Sequence, residues 1–401
     1  MTKRTTGSYE RTSVGGEEVA SFIPHPLPPA KPPVVLTNAL TQRLRVAEQA
    51  LVRLELAGEM VPSLDWFIYA FVRKEAVLSS QIEGTQATLV DLLTFEAQEG
   101  GADGAPPSAD VEEVCNYLDA LTFARAELAR PRGLPLSMRL LNKTHERLMR
   151  GVRGADKHPG EVRRSQNWIG GSRPGNAAYV PPPPHALGDV LRAFEKYLHS
   201  DDDALPPLVR TGLLHVQFET IHPYLDGNGR IGRLLVTLLL EHWKLLTKPL
   251  LYLSLYFKRH RANYYARLTA VRATGDWEGW LDFFLDGVAT IAEEAVTSAR
   301  ELFALVAADR ERVLAHEGMS IVGLRLFELL PRHPVVMVAS VMKLVETTKP
   351  TAGRAIELLV TAGVLVETTG RKRDRSFVYR GYLDRLRVGT ELDVPRGRGA
   401  S

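Results

Sequence analysis

One short segment, residues 221–233, gathers the residue types that phosphate chemistry requires. Gly227 and Gly229 allow the backbone to adopt positive φ and to approach a ligand closely. A helix that begins near Arg230 would offer free N–H groups and the positive end of its dipole, which together favour anion binding. Arg230 and Arg233 can lie on one face of that helix, so both guanidinium groups can reach the same phosphate chain.

The same segment holds a proton acceptor and a candidate metal ligand. His222 is suited to take a proton near neutral pH. Asp226 offers a hard oxygen of the kind that Mg²⁺ accepts beside phosphate oxygens. Turn chemistry alone would explain the Asp, Asn and Gly residues, but not a histidine and two arginines at fixed offsets. The segment therefore predicts nucleotidyl or phosphoryl transfer, and it is not a P-loop because the string GxxxxGK(S/T) is absent.

The segment resembles the signature of the Fic (filamentation induced by cAMP) family, His-Pro-Phe-x-Asp/Glu-Gly-Asn-Gly-Arg-x-x-Arg. Tyr224 stands where the family usually has Phe, and it keeps the aromatic body. The resemblance covers most of residues 35–310, including residues 64–93, 160–184 and the helix around Tyr264.

This resemblance implies a protein adenylyltransferase that uses ATP with Mg²⁺. His222 would deprotonate a Ser, Thr or Tyr hydroxyl of a target protein or of the chain itself, and that hydroxyl would attack the α-phosphorus of ATP. Asp226 would hold the Mg²⁺. The implied phosphate contacts are Gly227, Asn228 and Gly229 for the inner phosphates, and Arg230 and Arg233 for the outer ones. Further nucleotide contacts are implied for Gln217 and Tyr264, for which core or surface roles are equally open.

A second motif, Ser79-Ser80-Gln81-Ile82-Glu83-Gly84, resembles the family's inhibitory pattern, Ser/Thr-x-x-x-Glu-Gly/Asn. In that interpretation Glu83 forms an ion pair with Arg233, which then cannot hold the γ-phosphate. Ser79 and Glu83 would thus inhibit the site in cis. The alternative is a helix cap or a surface charge near a helix end.

Composition excludes several classes of protein. A net charge of +3 among 401 residues implies neither a nucleic-acid coat nor a membrane-surface protein. The single cysteine, Cys115, excludes an intramolecular disulfide and a multi-cysteine metal site. No apolar run reaches membrane-spanning length, and the N-terminus has no secretory pattern. These features predict a cytoplasmic protein without a membrane partner.

The elements that must position the motif are mostly helices. Apolar residues at helical spacing predict a mainly α core with a flap or hairpin at residues 167–180, which would serve as a dock for the target or as an ordinary surface loop. Residues 1–35, rich in proline, are expected to run extended without regular elements. The predicted helices span residues 40–56, 66–78, 110–128, 137–149, 187–198, 207–220, 230–245, 263–272, 277–289 and 291–314.

The last part of the chain has the layout of a winged helix. Three short helices (residues 321–330, 337–344 and 350–362) precede two short strands (residues 364–367 and 376–379). Between the strands lies a basic turn, which could contact DNA phosphates or dock a protein. The near-neutral charge of the chain leaves both roles open, and a docking or regulatory role is slightly preferred. The turn contains Arg371, Lys372, Arg373 and Arg375.

These elements predict five regions. They are an extended segment (1–35), a helical region with the inhibitory motif (36–130), a catalytic core (131–316), a winged-helix-like domain (317–386) and a tail (387–401). Two other functions stay open: removal of AMP from a modified protein, with Glu83 orienting a water, and DNA-binding regulation with the site as a ligand sensor. Relatives of this type often dimerise, so a homodimer is expected.

Overall fold

The computed structural model of the protein describes residues 4–59, 64–99, 107–200, 204–371 and 374–392, and it confirms the mainly helical class. The helices in that part of the chain are α1 (Asn38–Glu59), α2 (Leu64–Ile82), α3 (Leu89–Glu99), α4 (Ala109–Ala129), α5 (Met138–Leu148), α6 (Leu187–Leu198), α7 (Pro207–Ile221), α8 (Asn228–His242), α9 (Ser254–Arg259), α10 (Arg261–Thr274), α11 (Trp277–Ala315), α12 (Ile321–Leu329), α13 (Val338–Leu344), α14 (Lys349–Thr361) and α15 (Arg380–Leu386). The strands are β1 (Gly7–Val14), β2 (Glu17–Pro24), β3 (Val335–Met337), β4 (Leu365–Glu367) and β5 (Ser376–Tyr379).

The chain divides into two compact units. The first contains Met1–Arg53 and Asn116–Ala292, and the second contains Leu54–Cys115 and Glu293–Ser401. The five predicted regions stay predictions, since compactness alone does not set functional boundaries. Within the described residues, no helix combines the length and the apolar character needed to cross a bilayer.

The expectation that residues 1–35 lack regular elements is wrong. β1 and β2 form an antiparallel hairpin, closed by Gly15 and Gly16 with φ of 60° and 83°. Two residues of positive φ match the right-handed twist of the strands, which is why short hairpins favour glycine there. Val19 and Phe22 are buried, and the prolines that suggested an irregular chain begin only at the end of β2.

The first unit is built around the packing of α7 on α8. Every residue of α7 from Leu208 to Ile221 is buried, and the apolar residues of α8 are buried as well. Gly232 permits this close approach, because a Cβ there would lie 2.3 Å from the Glu219 Oε1 atom. The two helices that flank the candidate motif are therefore fixed in the middle of the unit.

The predicted flap is only partly β-structured. Ile169 and Tyr179 form one isolated antiparallel bridge around a 3-10 turn at Pro174–Asn176, with no longer strand on either side. The Tyr179 hydroxyl donates to the carbonyl of Thr220 on α7 (2.7 Å). The flap is therefore held by the Tyr179 side chain on α7, in place of most of the hairpin hydrogen bonds that the sequence suggested.

The long helix α11 corrects a second expectation, since residues 277–289 and 291–314 form one helix rather than two. Val288, Ile291 and Ala292 are fully buried, so the apolar stripe continues through the supposed break, and no glycine or proline interrupts residues 288–292. The buried stripe stabilises a continuous helix.

The second unit joins α2 and α3 with the C-terminal helices and a small sheet. The sheet has the order β3-β5-β4 and is antiparallel throughout. Strand β3 and helices α9 and α15 were not predicted, because each is short and carries few periodic positions. Helix α3 was not predicted either. Lys372 and Arg373 of the basic turn lie outside the described residues.

Candidate active site

The candidate motif begins where α7 ends, at a strained backbone position. His222 caps α7 with φ of 51° and ψ of 61°, in the left-handed region. Its N–H still donates to the Phe218 carbonyl (2.9 Å), so the helix closes normally before the chain turns away. Non-glycine residues adopt this conformation at a cost, and such residues concentrate at functional sites. The histidine at this turn is half-buried.

Asn228 closes the loop between α7 and α8. Its Oδ1 atom accepts from the Tyr224 N–H (2.9 Å), and its Nδ2 atom donates to the Tyr224 carbonyl (2.8 Å). The side chain is 2% exposed. These two bonds fix the side chain against the loop with one amide N–H, and the phosphate contact of Asn228 stays a prediction.

The first turn of α8 has the properties of an anion site. Gly227 precedes it with φ of 75°, and a Cβ there would lie 2.8 Å from Met149 Sδ, so glycine is required on both counts. Free N–H groups and the helix dipole point toward the loop. Arg230 and Arg233 on this helix are 1% and 3% exposed, which holds two cations in a low-dielectric setting.

Asp226 lies at the edge of this turn. Its Oδ1 atom accepts from the Gly227 N–H (2.6 Å) and is 3.9 Å from Arg230 Nη2, and its side chain remains 41% exposed. In the described part of the chain, no group of three or more His, Cys, Asp or Glu residues could hold a metal ion. An accessible single carboxylate fits Mg²⁺, which takes few carboxylates and completes its shell with phosphate and water.

His145 supports the loop from beneath, a role that the sequence did not mark. Its ring stacks on Tyr224 with centroids 3.9 Å apart. Nε2–H donates to the Asp226 carbonyl (3.0 Å), while Nδ1 accepts from the Gly160 N–H (2.8 Å). Burial, aided by the charge of Arg230, lowers the pKa of His145 to about 4 against the Asp226 hydrogen bond. The ring is therefore neutral and holds one fixed tautomer.

Tyr224, the one departure from the family signature, has a partner for its hydroxyl group. The Tyr224 hydroxyl donates to Asn142 Oδ1 (2.8 Å), so the polar atom that a phenylalanine lacks has a partner. The ring is fully buried, and burial raises the pKa of its phenol. A buried hydroxyl with an acceptor is tolerated, whereas an unpaired one would destabilise the loop.

Arg163 clamps the histidine turn through hydrogen bonds to its carbonyls, and no spacing pattern in the sequence marks it. It is 4% exposed, and burial lowers its pKa to about 10. Nε donates to the His222 carbonyl (3.0 Å), and the backbone N–H donates to the Pro223 carbonyl (2.9 Å). The remaining guanidinium nitrogens donate to the carbonyls of Ser165 and Pro182. One side chain thus joins the histidine turn to residues on both sides of the flap segment.

Gln217 and Tyr264, the predicted nucleotide contacts, are engaged by the protein itself. The Gln217 Nε2 atom donates to the His25 carbonyl just after β2 (2.9 Å). The Tyr264 hydroxyl hydrogen-bonds to Nε2 of His215 (2.9 Å), and Tyr264 is 1% exposed in a cluster of aromatic rings. The contact of both residues with nucleotide stays a prediction.

His215 lies behind the two arginines and is a second neutral histidine. Its Nδ1–H donates to the Gly232 carbonyl (3.0 Å) while Nε2 accepts from Tyr264. Complete burial, together with the charge of Arg233 and against the Gly232 hydrogen bond, lowers the pKa of His215 to about 4. His215 therefore adds no positive charge beside Arg233 at neutral pH.

These two histidines predict acid sensitivity. Because their pKa values in the folded protein lie near 4, below the ordinary 6.5, their contribution to stability is complete above about pH 6.5. It is lost as the pH falls from about 6.5 to about 4, by up to roughly 1.4 kcal/mol per pH unit for each histidine. Thermal unfolding of the wild type should therefore move to lower temperature over this range.

The matched variants are His215→Gln and His185→Gln. His185 has a side chain 66% exposed and only a surface contact with Glu10 (3.2 Å), which contributes little to stability, so its replacement serves as the exposed control, whereas His215→Gln should flatten the pH dependence. A wild-type melting temperature that is the same at about pH 7 and about pH 5 would contradict the assignment of two neutral buried histidines.

The predicted inhibitory residues lie in the second unit. Ser79 is fully buried on α2, and Glu83 is half-buried directly after the last residue of that helix. The Glu83 N–H donates to the Ser80 carbonyl (3.0 Å), and Gly84 follows with φ of 97°. The pairing of Glu83 with Arg233 remains a prediction.

Two regions of the chain match family models. Residues 41–126 match the model of the Fic/DOC family N-terminal region, and residues 135–240 match the Fic/DOC family. Curated relatives include "Protein adenylyltransferase Fic" of Drosophila grimshawi and of Drosophila erecta, 31% and 30% identical over 161 residues. These matches cover 40% of this chain and only 31% and 30% of the relatives, so the chain spans less than a third of their length.

Solved structures agree on the fold. A Fic family protein from Desulfovibrio desulfuricans superposes with a TM-score of 0.56 at 21% identity, over 86% of this chain and 97% of that one. A Fic domain containing signaling protein from Bacteroides thetaiotaomicron gives a TM-score of 0.50 at 19% identity, over 65% of this chain and 97% of that one. At such identities the likeness concerns the fold alone.

Proposed function

This chain is a Fic/DOC family protein, distantly related to protein adenylyltransferases, and we propose that it transfers AMP from ATP to a protein hydroxyl. The observation that carries the proposal is the α7–α8 turn. There His222 lies in a left-handed turn, followed by the exposed carboxylate of Asp226 and the N-terminus of α8 with its two buried arginines.

The chemistry follows from these groups. His222 takes the proton of a Ser, Thr or Tyr hydroxyl, whose oxygen forms a bond to the α-phosphorus. The bond from that phosphorus to the bridging oxygen breaks, and pyrophosphate leaves. The rate enhancement comes from positioning and from charge stabilisation fixed in advance. His145 and Arg163 contribute indirectly, because they hold the carbonyls of Asp226 and His222.

Phosphate binding is assigned to the first turn of α8. Backbone N–H groups of Asn228 and Gly229 cradle the inner phosphates, joined by the Gly227 N–H when phosphate displaces the Asp226 carboxylate from it, and Arg230 and Arg233 bind the outer phosphates. Asp226 is the residue that would hold Mg²⁺, which supplies neutralisation of phosphate charge. The low exposure of both arginines strengthens their attraction for an anionic ligand.

Autoinhibition by Glu83 is part of the proposal. A carboxylate that pairs with Arg233 competes with the γ-phosphate for the guanidinium group. The motif that contains Ser79 and Glu83 lies within the matched N-terminal region of the family, residues 41–126. The wild type would then be weakly active, and any signal that removes Glu83 would activate it.

The C-terminal domain is proposed to be a winged helix with a docking role rather than a DNA-binding one. Part of the positive charge of its basic turn is neutralised, because Arg375 pairs with Glu367 (2.7 Å) and lowers the pKa of that carboxyl. A docking role predicts no salt-sensitive binding to random duplex DNA in a shift assay at low and high salt. Binding that falls steeply with salt would support the DNA-binding alternative.

The Glu83→Gly variant tests the proposal. We expect it to incorporate label from ATP radioactive at the α-phosphate about tenfold faster than the wild type or more, since it loses a bidentate competitor for Arg233. The measurement is the initial rate of protein labelling in the presence of Mg²⁺. Equal rates for the two proteins would contradict inhibition by Glu83, and no labelling of either would contradict AMP transfer to the chain itself.

A further inference from the structure

The turn that carries Glu83 is closed by its own backbone. The N–H of Gly84 donates to the Gln81 carbonyl (3.0 Å), and the N–H of Thr85 donates to the Ser80 carbonyl (3.3 Å). Gly84 adopts φ of 97°, which other residues reach only with strain. These backbone bonds define the shape of the turn. Where the turn lies depends on the contacts that its side chains make with other segments.

Gln81 is the residue of this turn that reaches farthest along the chain. Its side chain is 9% exposed. Nε2 donates to the Ala87 carbonyl (2.9 Å), just before α3, and to the Thr390 carbonyl (2.9 Å), which is 309 residues away in sequence. Two donated bonds from one amide therefore join the end of α2, the start of α3 and the segment after α15.

The acceptor on the C-terminal side is itself fixed. Thr390 is 1% exposed, and both its N–H (2.8 Å) and its hydroxyl (2.7 Å) donate to the carbonyl of Arg387, directly after α15. A buried turn of this kind offers its carbonyl in one direction. The bond from Gln81 is accordingly made to an ordered element.

Further contacts join the same parts of the second unit. α3 packs on β3 and on α13, and its residues Leu89, Leu92 and Leu93 are buried. On α2, Arg73 pairs with Glu96 of α3 (2.7 Å). Tyr69 donates to the same carboxylate and faces the ring of His333, with centroids 6.2 Å apart. Residues on both sides of the inhibitory motif therefore depend on the C-terminal helices and sheet.

We propose that the C-terminal domain is part of the inhibitory machinery, and that Gln81 is the positioning residue through which it holds the Glu83 turn. This inference rests on the proposed inhibition by Glu83 and deepens it. Any event that moves the turn at residues 387–390 away from Gln81 would release Glu83 and activate AMP transfer. The C-terminal domain is then the place at which an activating protein partner acts.

The test uses the full chain with Gln81→Met, which keeps the length of the side chain and removes the donor. Because the bond to the Thr390 carbonyl exists only in the held state, its loss should raise the initial rate of AMP incorporation roughly five- to tenfold over the wild type. Gln86→Met is the matched control. Its exposed amide donates to the Gly84 carbonyl (3.0 Å), a bond that water can replace, so its rate should equal that of the wild type.

The double variant Gln81→Met/Glu83→Gly separates positioning from general destabilisation. If Gln81 acts through Glu83, the double variant labels at the rate of Glu83→Gly alone. A Gln81→Met rate at or below that of the wild type, while Glu83→Gly is accelerated, would overturn this inference and leave the proposed function intact. Failure of Glu83→Gly to accelerate labelling would instead overturn the proposed inhibition itself.

Discussion

Replacing His222 with alanine in the Glu83→Gly background is expected to lower the rate of AMP incorporation by roughly 10²- to 10⁴-fold, the usual contribution of a positioned general base. The target hydroxyl would then have to lose its proton to water. Binding of ATP should change little, because the α8 N-terminus and the two arginines are untouched. The loss should therefore appear in kcat and not in KM for ATP.

The control for this variant is His158→Ala. His158 has the same left-handed backbone as His222, with φ of 51° at both positions, but it is exposed. Replacement of either residue has the same backbone consequences, so a difference between the variants reports chemistry. A His222→Ala rate within a few-fold of the parent would exclude His222 as the base.

The second large effect is expected for Arg163→Met. This change removes the buried donor to the His222 carbonyl and the bonds to Ser165 and Pro182. The unbranched side chain of methionine still fills the space of the arginine stem. Loss of charged hydrogen bonds in a buried site should destabilise the protein by about 3 kcal/mol. Displacement of the histidine by about 1 Å should lower the AMP-transfer rate by about 10²-fold.

Arg164→Met is the matched control for Arg163→Met. The neighbouring arginine is 88% exposed in its side chain and makes only a surface ion pair with Glu161, which contributes little to stability. It should unfold and react like its parent. If Arg163→Met and Arg164→Met have equal activity and equal melting temperatures, the hydrogen bonds of Arg163 to the histidine turn contribute to neither stability nor AMP transfer.

The motif and its flanking helices could be predicted because the information is local. A proline after His222 ends α7, and the glycines and the apolar stripe of α8 define the turn and the helix that follows. α6 has the predicted bounds, and α7 differs from its prediction by one residue. α8 begins two residues earlier than predicted, because Gly227 supplies the left-handed position before it.

The supports of the site could not be predicted, because they come from distant parts of the chain. His145 and Arg163 act on the turn through ring stacking and through backbone carbonyls, which leave no spacing pattern in a sequence. The hydroxyl of Tyr264 has a partner that could not be predicted either. A residue assigned to the nucleotide by resemblance has its hydroxyl bonded to the buried His215, a contact that depends on how α7 and α10 pack.

The N-terminal hairpin shows how composition can mislead. Proline is frequent in residues 24–33, and these prolines led to the prediction of an irregular segment for all of residues 1–35. The pattern of buried and exposed positions in β2 was overlooked for that reason. Gly15 and Gly16 carried the turn signal. In the C-terminal domain, β3 has only three residues, too few for a period-two pattern to be recognised.

The most direct test of AMP transfer is intact-mass analysis of Glu83→Gly after incubation with ATP and Mg²⁺, in parallel with Glu83→Gly/His222→Ala. The proposed mechanism predicts an AMP-sized addition to the first protein and none to the second. A phosphate-sized addition, or no addition to a Glu83→Gly protein that remains folded, would contradict it.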